Sequence, residues 1–192
     1  MPKLSPIPAF VRIAFACLIV AAAVNFRAYA VEPIGGAFSL TAHTGKRISD
    51  KDLLGRPYAV FFGFTHCPDI CPTALFDLSR ILEELGPDGD RITPLFVTVD
   101  PARDTLEVLG DYVSSFDPRI VALRGSDEET AAVARAFRAT YRKVELGDGE
   151  YNVDHTAVVY LMDRNGHFFD TVDYRTPLDQ QTARFRAVIG AR

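Results

Sequence analysis

Between Tyr58 and Phe64 the chain runs Tyr-Ala-Val-Phe-Phe-Gly-Phe with no polar break, then passes into Thr65-His66-Cys67-Pro68-Asp69-Ile70-Cys71-Pro72-Thr73. A run that lacks the alternation of a half-exposed strand, and is rich in residues that suit a sheet, fits a strand covered on both faces. Beyond Pro72, apolar residues recur at Ala74, Leu75, Leu78, Ile81, Leu82 and Leu85, the spacing of a helix, and Gly86-Pro87 closes it. The stretch therefore predicts a buried strand that delivers two cysteines to a helix start, within a parallel α/β sheet. Cys67 and Cys71 are four residues apart, so a compact loop or one helical turn brings both sulfurs to one side. The unpaired N–H groups of a helix start favour thiolate over thiol. Two thiolates aimed at one point can close a disulfide or hold a soft metal ion.

The rest of the chain can be arranged around this unit. Phe38 to Ala42, a turn at His43-Thr44-Gly45 and Lys46-Arg47-Ile48 read as a short N-terminal hairpin, followed by a brief helix capped by Ser49. Ile92 to Val99 predicts a second apolar strand, and its following loop, Asp100 to Thr105, should lie near the cysteines because parallel strands put such loops on one edge. Asp104 or Thr105 can cap a helix over Leu106 to Val113, with a strand at Ile120 to Leu123. Ser126 and Glu129 form a capping box for a helix expected to carry Ala132, Val133, Ala136, Phe137 and Tyr141. An acidic loop is expected from Glu145 to Asn152, then a strand from Ala157 to Met162, a turn at Asp163-Arg164-Asn165-Gly166 and a return strand to Val172. Thr176-Pro177 opens a terminal helix. This order gives a mixed central sheet, parallel at its core and flanked by helices on both faces, in a thioredoxin-like α/β layout.

The leading segment is different in character. It has a basic start (Lys3, Arg12), an unbroken apolar stretch from Ile13 to Val24, and the small-x-small triplet Ala28-Tyr29-Ala30. Residues 1–30 are expected to be a secretory signal or an N-terminal membrane anchor, with residues 31–192 as the functional domain. The apolar stretch falls short of the ~20 residues that cross a bilayer, which favours cleavage, unless flanking residues extend it into a tether over residues 9–26. Outside the leader, exactly two cysteines remain, Cys67 and Cys71, because the third, Cys17, lies within the apolar stretch. A four-residue spacing closes too small a ring to stabilise a fold much, so the pair is chemical rather than structural. Of the 21 basic residues the leader holds three and no acid, which against 25 acidic residues leaves about −7 on the remainder. So acidic a body is not expected to bind nucleic acid.

His155, in Val153-Asp154-His155-Thr156-Ala157 at the mouth of the strand to Met162, could complete a site with the two sulfurs for copper or zinc, or be a loop histidine facing solvent. Asp154 could orient its ring, or cap a turn. His66, next to Cys67, should point to the opposite side, and His43 and His167 are expected on the surface in turns. Asp69 is expected to cap the helix or accept backbone N–H bonds, and Arg103 with Asp104 to pair or cap near the site. The arginines Arg184, Arg186 and Arg192 read as a solvated face.

Taken in order, Phe62-Gly63-Phe64-Thr65-His66-Cys67-Pro68-Asp69-Ile70-Cys71-Pro72-Thr73, Val97-Thr98-Val99-Asp100-Pro101 with Arg103-Asp104-Thr105, Asp154-His155-Thr156 and Tyr160-Leu161-Met162-Asp163 resemble the Sco/SenC family over about Gly35 to Tyr174. The resemblance implies a thioredoxin-like domain that binds a copper ion through Cys67, Cys71 and His155. It implies a domain facing the periplasm or the mitochondrial intermembrane space, of which the periplasm is expected here, free after signal cleavage or anchored to the inner membrane. The implied role is assembly of the binuclear copper centre in subunit II of cytochrome c oxidase, with that subunit or another copper-acceptor protein as partner. An upstream copper chaperone or thiol reductant is a further implied partner. The chain departs from the family pattern at Ala102, where a glutamate is usual, and at Thr156, where a serine is common.

Two functions follow from the site residues. A metallochaperone uses all three side chains, whereas a thiol:disulfide oxidoreductase would cycle Cys67 and Cys71 and has no obvious use for His155. Thioredoxin-type enzymes carry two residues between their cysteines rather than three, which favours metal. A peroxide-reducing relative of the same fold would not need the second cysteine.

Overall fold

A computed structural model describes residues 33–191. The leader, with its signal-or-anchor reading and Cys17, lies outside the described residues, as does Arg192.

The strand expected at the centre is β3, Tyr58–Gly63, and all six of its residues are buried. Its neighbours explain that burial. β4 (Thr93–Thr98) lies parallel on one side, with Phe61 opposite Phe96, and β8 (Val158–Met162) lies antiparallel on the other. β5 (Val121–Arg124) continues the parallel core beyond β4. The N-terminal hairpin, β1 (Ser39–Ala42) and β2 (Arg47–Ser49), extends it by antiparallel pairing to β5. With β9 (Phe168–Asp173) the seven-stranded order is β2-β1-β5-β4-β3-β8-β9. At that edge of the sheet the burial lapses, and β9 exposes Phe168 and Phe169 while burying Val172.

Helices pack against this mixed sheet. α1 (Ile70–Leu85) buries Cys71, Ala74, Leu75, Leu78, Ile81, Leu82 and Leu85, the stripe expected from the spacing, and ends where Gly86 adopts φ +56. α2 (Leu106–Val113) is capped by Thr105, whose hydroxyl accepts from the Val108 N–H. α3 (Asp127–Ala136) begins at the Ser126 and Glu129 capping box, and α4 (Leu178–Gly190) packs on α1. The rings of Phe62, Phe137 and Tyr160 meet edge to face at 5.5–6.0 Å, filling the space beside β3.

Two expectations are corrected. The third helix stops at Ala136, and Tyr141 opens a strand instead of extending the helix. Arg138 takes φ +54, a left-handed turn that ends the helix, so Phe137 and Tyr141 keep a helical spacing while serving two elements. The stretch read as an acidic loop is a hairpin, β6 (Tyr141–Gly147) with β7 (Glu150–His155), reversed through Gly147, Asp148 and Gly149, all at positive φ. This pair forms a sheet of its own. His155 is its last residue rather than part of the approach to β8.

Candidate metal centre

β3 ends at Gly63, and the chain turns outward through Phe64 to the start of α1 at Ile70, leaving Cys67 in the loop and Cys71 in the first helical turn. The free cysteines among the described residues are Cys67, half-buried, and Cys71, fully buried. Gly63 permits this depth: a Cβ there would stand 2.7 Å from Cys71 Sγ.

The loop is fixed from below by Asp104, which is 0% exposed. Its carboxylate accepts from the Thr65 N–H at 3.1 Å, the Thr65 hydroxyl at 2.6 Å and the Thr98 hydroxyl at 2.5 Å. The loops after β3 and β4 are thus joined, as the parallel arrangement predicts. Thr105 caps α2 and leaves Asp104 to this task, while Arg103 pairs with Asp100 rather than with Asp104. Asp69 stands at the N-cap of α1 without a side-chain cap bond, and its backbone N–H instead faces the Cys67 sulfur.

His155 arrives from the separate hairpin. Its Nε2 lies 3.5 Å from Cys71 Sγ, and its ring meets those of Phe61 and Phe64 edge to face at 6.1 and 5.8 Å. Nδ1 is 3.1 Å from the Thr156 carbonyl, which can only accept, so Nδ1 carries the hydrogen and Nε2 presents its lone pair to the sulfurs. The three donor atoms, Cys67 Sγ, Cys71 Sγ and the His155 ring nitrogen, all lie within 4.8 Å of one another. Asp154 does not orient this ring; it pairs with Arg142 at 2.6 Å on the exposed side. His66 is exposed beside Thr65, and His167 is exposed as well. His43 departs from expectation, because its Nδ1 accepts from the Ala122 N–H at 3.2 Å and it is half-buried.

The thiols are unequal. A bond from the Cys71 thiol, with the N–H groups of Asp69 and Cys71, outweighs burial and draws Cys67 down to about 4. The Cys67 thiolate and burial together push Cys71 up. One negative charge is therefore held between two sulfurs at neutral pH, on the more accessible of them.

Sequence reasoning missed Tyr151, whose hydroxyl donates to Asp100 at 2.8 Å. Its alternation with Val153 and His155 is the available signal, masked by the acidic residues around it.

The fold and site together define a thioredoxin-like domain that brings two thiols and an imidazole to one point. The chain belongs to the SCO1/SenC family, whose model matches residues 27–190. The human mitochondrial SCO1 homolog is 46% identical over 143 residues, 71% of this chain and 46% of its own length, so the chain spans less than half of that relative. The structure of Bradyrhizobium japonicum ScoI with copper bound is similar at TM-score 0.76 and 43% identity, over 81% of this chain and 99% of that one. Arabidopsis thaliana ScoI with copper bound gives TM-score 0.74 and 39% identity, over 80% and 99%.

Proposed function

We propose that this chain carries copper as cargo between Cys67, Cys71 and His155 and assists assembly of cytochrome c oxidase. The convergence of three donor atoms within 4.8 Å carries this reading. Metal bonds of about 2.0–2.3 Å need ligand atoms about 4 Å or less apart, so a small inward movement closes the set on an ion. Two soft thiolates with an imidazole suit copper in either oxidation state. Cys67 meets the ion already as thiolate, Cys71 releases its proton to solvent on binding, and Nε2 supplies a lone pair. The two copper-bound relatives support the choice of ion. The acceptor we assign is subunit II of the oxidase, at its binuclear copper centre, and the compartment is the periplasm, reached through the leader as signal or anchor.

Titration of the reduced protein with copper(I) against a chelator, and separately with copper(II), tests the reading. One ion per chain is expected, lost in Cys67→Ser and Cys71→Ser, since a hydroxyl is a poor, hard replacement for thiolate. His155→Ala should abolish copper(II) binding and weaken copper(I) less, because two sulfurs can still hold copper(I) linearly. Full oxidase assembly in cells by a His155→Ala protein that cannot hold copper would overturn the assignment.

The unequal thiols favour a second reading, reduction of the acceptor's cysteines. The Cys67 thiolate attacks the acceptor disulfide and releases one acceptor thiolate. Cys71 then attacks Cys67 Sγ, its proton passing to the second departing thiolate, so the acceptor is reduced and this chain ends as a disulfide. Under this reading His155→Ala retains nearly normal exchange and oxidase assembly.

A further inference from the structure

The hairpin that carries His155 shares no strand pairing with the seven-stranded sheet, so a β-ladder does not fix where the imidazole sits. We propose that Arg103 is the positioning residue that holds His155 over the cysteines, an inference that rests on the copper reading for its consequence but not for its geometry. The Arg103 guanidinium joins three groups. Nε donates to the Asp100 carboxylate, which is 0% exposed. Nη1 donates to the Tyr151 main-chain carbonyl at 3.0 Å, and the guanidinium carbon stands 3.7 Å from the centre of the Tyr151 ring. The Tyr151 hydroxyl donates to the other Asp100 oxygen at 2.8 Å, closing the circuit.

Tyr151, Val153 and His155 alternate along β7 and share one face, with Val153 buried between the other two. Pinning the strand at Tyr151 therefore sets the position of the imidazole two alternations further on. Apart from the contacts of His155 with the two cysteines, the hydrogen bonds described between β7 and the body of the domain pass through Asp100 and Arg103. Asp100 is tied in turn to the cysteine loop, because its N–H donates to the Thr98 hydroxyl, which donates to Asp104, the acceptor for Thr65. The hairpin and the cysteine loop are thus located by one polar network. A buried ion pair alone is weak evidence of any role, since apolar replacements often match its stability. The bond from Arg103 to the main chain of β7 is what a pair with Asp100 would not need.

The test compares wild type, Arg103→Lys and Tyr151→Leu as the whole protein. Lysine keeps a cation for Asp100 but cannot also spread over the tyrosine ring and reach its carbonyl. Copper(II) affinity should fall about ten- to hundred-fold, as for other residues that orient a ligand, and the thiolate-to-copper(II) charge-transfer absorption should change. Copper(I) affinity should fall less. In the metal-free reduced protein, amide exchange over residues 150–155 should accelerate. Adding Arg103→Lys to His155→Ala should weaken copper(II) binding no further, because the ligand it positions is gone. Unchanged copper(II) affinity, or unchanged exchange in β7, overturns the proposal, as does an equal loss of both copper affinities with a lower melting temperature. If Arg103→Lys fails to fold, Tyr151→Leu decides by the same readouts. If wild type binds no copper the copper reading fails, and the exchange measurement alone decides whether Arg103 holds the hairpin.

Discussion

At Gly63 an added Cβ would stand 2.7 Å from Cys71 Sγ and 2.6 Å from the ring of Phe96, which is fully buried and cannot give way cheaply. Gly63→Ala should therefore cost about 1–3 kcal/mol in a urea melt, the range for overpacking a tight core, and should displace the Cys71 sulfur from His155. A variant as stable as wild type would show that the glycine is not needed for the approach. The second residue-scale prediction concerns Cys67. With the bond from Cys71 drawing it down to about 4, its thiolate persists through neutral pH and is lost only as pH falls through that value. Alkylation of the metal-free reduced protein should then change little between pH 8 and pH 6, where an ordinary thiol slows on the order of a hundredfold. Mass spectrometry should place the label on Cys67 and leave buried Cys71 unmodified; a hundredfold fall would refute the thiolate. The cysteines are legible in the sequence because their spacing alone limits what they can do. The inequality between them is not, since it depends on which sulfur the fold buries.

Between elements, Asp104 is a buried joint that binds the loop after β3 to the end of β4 through Thr65 and Thr98. Asp104→Ala leaves two hydroxyls and an N–H without their charged acceptor, and should cost about 2–4 kcal/mol by denaturant melt. A loss within about 0.5 kcal/mol, the range of ordinary surface substitutions, would show that water replaces the carboxylate. Proximity of these two loops follows from a parallel pair of strands, so this joint is legible as a place, although Asp104 itself reads from the sequence as a cap. The hairpin from Tyr141 to His155 is not legible as such. Its strands carry Arg142, Lys143, Glu145, Glu150 and Asp154 on solvent-facing positions, and a small sheet with little buried area leaves a weak apolar pattern. The contacts that hold it, Arg103 with Asp100 and Tyr151, join segments about fifty residues apart, and local periodicity says nothing of such pairs.

For the molecule as a whole, the question is whether the described domain stands without residues 1–30. The described core draws on residues from Leu40 to Ile189, and the three donor residues of the candidate site fall inside that segment. The chain enters this body at its N-terminal end through the Gly35 N–H, which donates to the Ala136 carbonyl at 2.8 Å, so the first described turn is tied to α3 by its own backbone. No helix among the described residues is long and apolar enough to cross a membrane, and the long apolar run in the sequence lies before Ala30. Because the core and the donor residues lie inside this segment, a polypeptide of residues 31–192 is expected to fold cooperatively and to match residues 1–192 in copper affinity. Because burial of the core and the polar joints at Asp104 and Arg103 are internal to this segment, removing residues 1–30 should leave the urea midpoint and copper affinity unchanged. A broad non-cooperative melt or a weakened site would place part of the folding unit before residue 31.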